Sequence, residues 1–395
     1  SSGKMHVYFE WIKEQIDAGK SVLYLLPEIA LTAQIVQRLR KHFGDVVGVY
    51  HSKFNEQERV EIWNKVLDGK YKLVLGARSS LFLPFRNLGL VIVDEEHDQS
   101  FKQFDPAPRY QGRDSAVMLA HQMGANVILG SATPSVESLH NAKNDKYGFV
   151  QMKERFGGRE LPELKTIDLA YMVKTNRMRD QYSIPLLKAM EETLKREEQI
   201  ILFQNRRGYS PHIVCGTCGW MPYCKNCDVS MTYHKFRDRL ICHYCGYHEP
   251  TVTKCKACGS TEMHIRGYGT QKLEDDLSTH FPLAKIERMD WDSARNKHAH
   301  GEIIQRFENK EVDILVGTQM VTKGLDFDHV GLVGIVYADQ LWSNPDFRAN
   351  ERAFQLIQQV AGRAGRKHGQ GQVYIQTYKP DDWILNLAKE HNLKA

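Results

Sequence analysis

The stretch Leu90-Val91-Ile92-Val93-Asp94-Glu95-Glu96-His97 decides the fold. Four apolar residues in a row suit a strand buried on both faces, as in a parallel sheet covered by helices. A carboxylate placed directly after such a strand is expensive unless it has a cation to hold. In open α/β sheets, ligands bind beyond the carboxyl ends of the strands. The stretch therefore marks a candidate site as well as a strand. An acidic strand end running into a solvated loop is the plain alternative, and the neighbouring sequence weighs against it.

Other apolar runs end in the same way. Leu23-Tyr24-Leu25-Leu26 leads into Pro27-Glu28, Leu73-Val74-Leu75 into Gly76-Ala77-Arg78-Ser79-Ser80, and Val127-Ile128-Leu129 into Gly130-Ser131-Ala132-Thr133. A second set comprises Ile200 to Phe203, Ile314 to Val316, Leu332 to Tyr337 and Val373 to Ile375. Helical spacing separates them, as in Leu31, Ile35, Leu39 and Phe43, or Ala353, Leu356, Ile357 and Val360, and these stripes read as core-facing. The pattern predicts α/β lobes with mainly parallel sheets.

At roughly 100 to 200 residues per domain, a chain of 395 has room for two or three. The expected division is a first lobe over 1–148, a linker and the start of a second lobe over 149–210, an insertion over 211–262, and the rest of the second lobe over 263–395. The polar segment from Phe149 to Ser183 is read as linker plus lobe-two edge. No apolar run approaches the ~20 residues of a bilayer span, and no basic stretch followed by an apolar one opens the chain. The expectation is a cytoplasmic protein with no membrane partner. A net charge of +5 permits a polyanionic partner without demanding one.

All eight cysteines fall between Cys215 and Cys258, in four C-x-x-C pairs: Cys215/Cys218, Cys224/Cys227, Cys242/Cys245 and Cys255/Cys258. Each pair is half of a tetrahedral thiolate site, so two Zn²⁺ ions in closed Cys₄ sites are expected, with no open position for catalysis. Spacing leaves the pairing open between nested and sequential arrangements, with His212, His234, His243 and His248 nearby as possible competitors. Gly219, Gly246 and Gly259 follow a second cysteine, where a tight knuckle favours positive φ.

Two further stretches carry charge. In Gln358-Gln359-Val360-Ala361-Gly362-Arg363-Ala364-Gly365-Arg366, helical spacing would set Gln359, Arg363 and Arg366 on one face, from which arginines can neutralise transferring phosphate charge. A solvated basic helix end is the competing explanation. At the amino end, Ser1-Ser2-Gly3-Lys4 matches the tail of the phosphate-binding pattern G-x-x-x-x-G-K-[ST], cut off where the chain begins. Lys4 is the expected β/γ-phosphate contact, while Met5 stands where the pattern has a Mg²⁺-binding hydroxyl, and a thioether is a poor ligand for that ion.

Taken in order, these stretches resemble the motifs of superfamily 2 helicases: Gly3-Lys4, Pro27 to Gln34, Gly76 to Leu81, Asp94 to His97 and Gly130 to Pro134. The order continues through Phe203 to Gly208, Val316 to Phe327 and Gln358 to Arg366. Within that superfamily the chain is similar to the PriA family of replication-restart helicases, through Pro27-Glu28-Ile29-Ala30-Leu31-Thr32, the Gly317-Thr318-Gln319-Met320 form of one motif, and the cysteine insertion. Members of that family also carry flanking domains, so the chain reads as a helicase core.

The resemblance implies two RecA-like lobes and ATP-driven 3′ to 5′ movement on DNA, with action on branched DNA at stalled replication forks. It implies nucleotide contacts from Ser2, Gly3, Lys4, Asp94, Gly324, Asp326, Gln359, Arg363 and Arg366. Asp94 would hold Mg²⁺ with ATP, and Glu95 would polarise the attacking water. DNA contacts would come from Arg78, Ser79, Ser80, Thr133, Thr318 and Lys323. The segment Phe101-Lys102-Gln103-Phe104, with Pro106, Pro108, Arg109 and Tyr110, resembles an aromatic loop that couples DNA to hydrolysis. Nested zinc pairing is implied, with Cys215, Cys218, Cys255 and Cys258 on one ion and Cys224, Cys227, Cys242 and Cys245 on the other. Single-stranded and forked DNA, single-stranded-DNA-binding protein and primosome proteins are the implied partners of a monomer. Two rivals stand beside this reading: a DNA-binding scaffold that does not hydrolyse ATP, motivated by Met5 and the incomplete loop, and an RNA-directed motor.

Overall fold

Alternate residues of the central strands feed two different cores in each half of a computed structural model of the chain. The description covers residues 3–27, 33–51, 54–152, 162–204, 212–227, 229–234, 238–242, 245–266, 270–290, 299–321, 327–343, 346–365 and 371–390. The chain forms two units, Ser1–Arg159 and Glu160–Ala395.

The first unit holds strands β1 (Ser21–Leu25), β2 (Val47–Tyr50), β3 (Leu73–Gly76), β4 (Leu88–Asp94) and β5 (Asn126–Gly130), all parallel, in the order β2-β3-β1-β4-β5. Leu23 and Leu25 pack on one face with Val74, Val91 and Val93, whereas Val22 and Tyr24 pack on the other with Leu73, Leu75, Leu90 and Ile92. This is the period-two consequence of a strand covered by helices on both sides. β4 is an interior strand between β1 and β5, and its carboxyl end at Asp94 lies on the edge where an open sheet presents its ligand site.

The second unit repeats the plan. Strands β6 (Glu163–Asp168), β9 (Gln199–Phe203), β15 (Ile286–Met289), β16 (Ile314–Gly317), β17 (Val330–Ile335) and β18 (Gln372–Thr377) form a parallel sheet in the order β15-β16-β9-β17-β18-β6. Ile201, Phe203, Leu315 and Val333 face one core and Ile200, Leu202, Ile314 and Leu332 the other. The polar stretch before Ser183 contributes β6, a six-residue edge strand, and a short hairpin of β7 (Met178–Arg179) and β8 (Tyr182–Ser183).

The cysteine-rich insertion leaves this sheet after β9. A two-stranded antiparallel ribbon of β10 (His212–Cys215) and β14 (Met263–Arg266) carries it out and back. Inside lies a three-stranded antiparallel sheet of β11 (Thr232–His234), β12 (Arg239–Ile241) and β13 (His248–Pro250). Among the described residues, no helix is long and apolar enough to cross a membrane.

Candidate nucleotide site and metal centres

Lys4 opens the helix Lys4–Asp17, and its ammonium donates to Asp94 Oδ1 at 3.0 Å and to Glu95 Oε1 at 2.7 Å. Burial alone would lower the Lys4 pKa, but the adjacent Asp94 and Glu95 carboxylates outweigh it and hold the group above the ordinary lysine range. Glu95 takes φ 51, a left-handed conformation that costs a residue with a side chain roughly 1 to 2 kcal/mol. That kink breaks the strand alternation, so Glu95 meets Lys4 while Glu96 turns into the core. Strain of this kind concentrates at functional sites. His97, its side chain nearly buried, connects the acidic stretch to the end of β5: its Nδ1 lies 2.7 Å from Ser131 Oγ, and its Nε2 3.8 Å from Glu95 Oε2.

Three features here escape sequence reasoning. The Tyr8 hydroxyl donates to Asp94 Oδ1 at 3.0 Å, and the Tyr24 hydroxyl stands 3.4 Å from Oδ2. Burial, followed by the Asp94 charge, pushes both phenols well above their ordinary range. Glu96, 1% exposed, accepts the Ser135 amide at 2.7 Å, the Ser138 hydroxyl at 2.9 Å and the Arg113 guanidinium at 3.1 Å. A signal for Arg113 existed, because it shares helical spacing with buried Ala116 and Ala120 in the helix Gly112–Met123.

The DNA-contact residues divide. Arg78 donates to the carbonyl oxygens of Ser100 at 2.7 Å and Lys102 at 3.3 Å, tying the segment after β3 to the aromatic loop. Ser79 is half-buried, Arg109 is exposed, and Tyr110 is half-buried with its ring 5.3 Å edge-on to Phe82. Phe82 and Phe104 are more than half exposed; Phe104 belongs to the expected aromatic loop, whereas Phe82 carried no expectation. Three of the expected contacts lie inside the lobe. Phe101 is 1% exposed in the lobe-one core and offers no ring to a base. Ser80 is fully buried with its hydroxyl on the Ala77 carbonyl, and Thr133 is buried beside His97, so neither side chain faces a polyanion.

In the second unit, Thr318 follows β16 directly and is half-buried. The helix expected to carry Gln359, Arg363 and Arg366 on one face stops at Ala361. Arg363 and Ala364 donate their amides three residues back, to Val360 and Ala361, and Gly365 at φ 71 carries the chain across to the Val330 carbonyl. Gln359 is therefore helical and Arg363 lies in a turn, which removes the shared-face argument. Ser2, Lys323, Gly324, Asp326 and Arg366 lie outside the described residues.

The cysteines gather into two clusters: Cys215, Cys218, Cys255 and Cys258, and Cys224, Cys227, Cys242 and Cys245, with ligand atoms within 4.8 Å of one another. This is the nested arrangement. Sulfur separations of 3.6 Å for Cys215–Cys258, Cys218–Cys255 and Cys224–Cys245 match the roughly 3.8 Å edge of a tetrahedron with Zn–S bonds of about 2.3 Å. Gly219, Gly246 and Gly259 all have φ near +75, and each returns its amide to the carbonyl of the first cysteine of its pair at 2.9 to 3.0 Å. The donor chemistry and repeated knuckle fit zinc. Ile213, Val229, Met231 and Leu240 add a small apolar core. Gly219 also sits against the Tyr378 ring, where a Cβ would come within 2.8 Å of it.

Residues 1–142 match the DEAD/DEAH box helicase family and residues 268–368 the helicase conserved C-terminal domain. Solved structures of low identity share the fold: RecG bound to a three-way DNA junction has a TM-score of 0.52 at 15% identity, covering 95% of this chain and 38% of that one. The helicase MrfA bound to DNA and AMPPNP gives 0.55 at 13%, covering 99% and 46%. The fold and site thus define a superfamily 2 helicase core with two RecA-like lobes.

Residues 224–250 match the PriA DNA helicase Cys-rich region domain. The replication restart protein PriA of Bacillus subtilis is 42% identical over 394 residues, covering 100% of this chain and 49% of that protein. That of Haemophilus influenzae is 41% identical, covering 100% and 53%. The chain belongs to the PriA family, and it spans about half the length of these relatives.

Proposed function

We propose that this chain is the ATP-driven motor of a 3′ to 5′ DNA translocase that opens branched DNA at stalled replication forks so that a primosome can assemble. The observation that carries the reading is the Lys4–Asp94–Glu95 cluster at the end of β4, where one ammonium neutralises two carboxylates. Lys4 would hold the β/γ-phosphates of a bound nucleotide, and Asp94 would hold Mg²⁺. Magnesium supplies charge neutralisation on the phosphates. Glu95 would orient and deprotonate the attacking water, and the resemblance assigns charge on the transferring group to Arg363 and Arg366.

Single-stranded DNA is assigned to Arg78, Ser79, Arg109 and Tyr110 of the first unit, with Phe104 and Phe82 as further rings, and separately, by resemblance, to Thr318 and Lys323 of the second. Phosphate contacts there give salt-dependent affinity without sequence preference. The zinc ions hold the insertion folded, and the insertion meets the fork and protein partners such as single-stranded-DNA-binding protein. ATP hydrolysis measured with and without single-stranded DNA tests the motor: Glu95→Gln should lose at least a hundredfold in turnover while retaining nucleotide binding. Equal stimulation by RNA would move the reading to an RNA motor.

One observation favours a second reading, a scaffold that binds DNA without turnover. Met5 replaces the expected hydroxyl, and its sulfur accepts from Arg38 at 3.3 Å. Met5→Thr separates the two, since the motor gains turnover and the scaffold gains none.

A further inference from the structure

Tyr8 and Lys4 are one helical turn apart, so both side chains leave the same face of the helix Lys4–Asp17. They converge on the same atom: Lys4 Nζ and Tyr8 Oη each donate to Asp94 Oδ1 at 3.0 Å. These donors differ in mobility. Lys4 has a flexible stem and 21% side-chain exposure, whereas Tyr8 is 3% exposed, set in the lobe-one core with its ring 5.7 Å edge-on to Tyr24.

The opposite wall explains how a phenol fits there. A Cβ at Gly130 would stand 1.7 Å from Tyr8 Oη, 2.9 Å from Tyr8 Cζ and 3.3 Å from Asp94 Oδ1. No side chain is compatible with that approach. Gly130 ends β5 beside Asp94 in register, and its φ is not in the left-handed region, so backbone conformation does not call for glycine. What requires it is the space taken by the Tyr8 hydroxyl.

We infer that Tyr8 is a positioning residue for the Asp94 carboxylate, and that Gly130 is glycine in order to admit it. The inference rests on the proposed nucleotide site and deepens it. Tyr8, buried in the lobe-one core, would keep Oδ1 in place where Lys4 holds a phosphate and Asp94 holds Mg²⁺. Outer partners of this kind commonly govern metal affinity by about 10- to 100-fold.

Two measurements on the intact protein test this. In the first, binding of a fluorescent ADP is titrated with Mg²⁺. Tyr8→Phe should raise the Mg²⁺ concentration for half-maximal binding by roughly tenfold, leaving affinity for single-stranded DNA without nucleotide as in the native protein. An unchanged Mg²⁺ midpoint would overturn the positioning role and leave Tyr8 a packing residue. The second is thermal unfolding without nucleotide or metal. Gly130→Ala should lower Tm clearly in the native background and much less in a Tyr8→Leu background, where the ring atoms that Cβ would strike are gone. Equal losses in both would overturn the fit between Gly130 and Tyr8. A native protein that binds no magnesium nucleotide would instead sink the nucleotide-site reading, and the unfolding comparison would still report on the Tyr8–Gly130 fit.

Discussion

The Arg113 guanidinium reaches Glu96 at 3.1 Å inside lobe one, with the two side chains only 9% and 1% exposed. Glu96 belongs to the acidic segment after β4, while Arg113 stands in the first turn of the helix that follows the aromatic loop. A buried ion pair thus ties the acidic segment after β4 to the helix that follows the aromatic loop.

Removing one member of such a pair strands the other charge. Arg113→Ala should destabilise lobe one by roughly 3 to 5 kcal/mol, read from denaturant midpoints. Arg113→Ala with Glu96→Gln should recover part of that loss. If the double variant is as unstable as the sum of the singles, the pair is not coupled.

Lys4 sets a pH expectation. Its folded pKa lies above the ordinary value of 10.5, so its contribution is complete below that value and is lost only as pH climbs through the folded pKa. Lys4→Met should therefore lower the nucleotide-free Tm by a constant amount, roughly 2 to 4 °C, across pH 6 to 9. A loss that shrinks steadily over that range would contradict the ion cluster.

The zinc pairing has a stoichiometric test. Cys215 and Cys255 belong to one cluster, so a Cys215→Ser, Cys255→Ser double variant should retain one zinc per chain. Sequential pairing would damage both sites. Chelation of both ions should expose residues 211–262 to proteolysis while much of the first lobe remains protected, because so small a core depends on its metals.

The two phenylalanines of the aromatic segment should separate. Phe101→Ala empties a core position and should cost about 3 to 5 kcal/mol of stability. Phe104→Ala should leave stability within about 0.5 kcal/mol and weaken single-stranded DNA binding by about 1 to 3 kcal/mol if its ring stacks on a base. Comparable stability losses from both would refute the contrast in burial.

The strands that sequence revealed are those buried on both faces, such as Leu90 to Val93 and Ile314 to Val316, since an unbroken apolar run admits few other readings. It missed Val47–Tyr50 and Ile286–Met289 and placed Glu163–Asp168 only within a lobe-two edge segment, because these strands lie at sheet edges where solvent on one side lets Gly48, Lys165 and Arg288 interrupt the pattern. Metal clustering was visible because thiolate pairs carry their own geometry. The pairing was not, since it depends on how the ribbon of β10 and β14 returns Cys255 to Cys215. Phe101 and Phe104 look alike in sequence, and only the turn at Asp98, whose side chain accepts the Ser100 amide, sends the first inward. Tyr8 could not be found because its partner, Asp94, is 86 residues away.

The seat of Gly219 on Tyr378 gives the cysteine-rich insertion a second anchorage besides its ribbon. Tyr378 is itself pinned, its amide donating to the buried Asp339 carboxylate at 3.0 Å. An appendage tethered by its ribbon alone would swivel like a flag; one bolted at two points behaves as a bracket. The first zinc knuckle is then held at a set distance from the end of β18, so that a push on it is felt by the lobe-two sheet instead of being spent in bending a stalk.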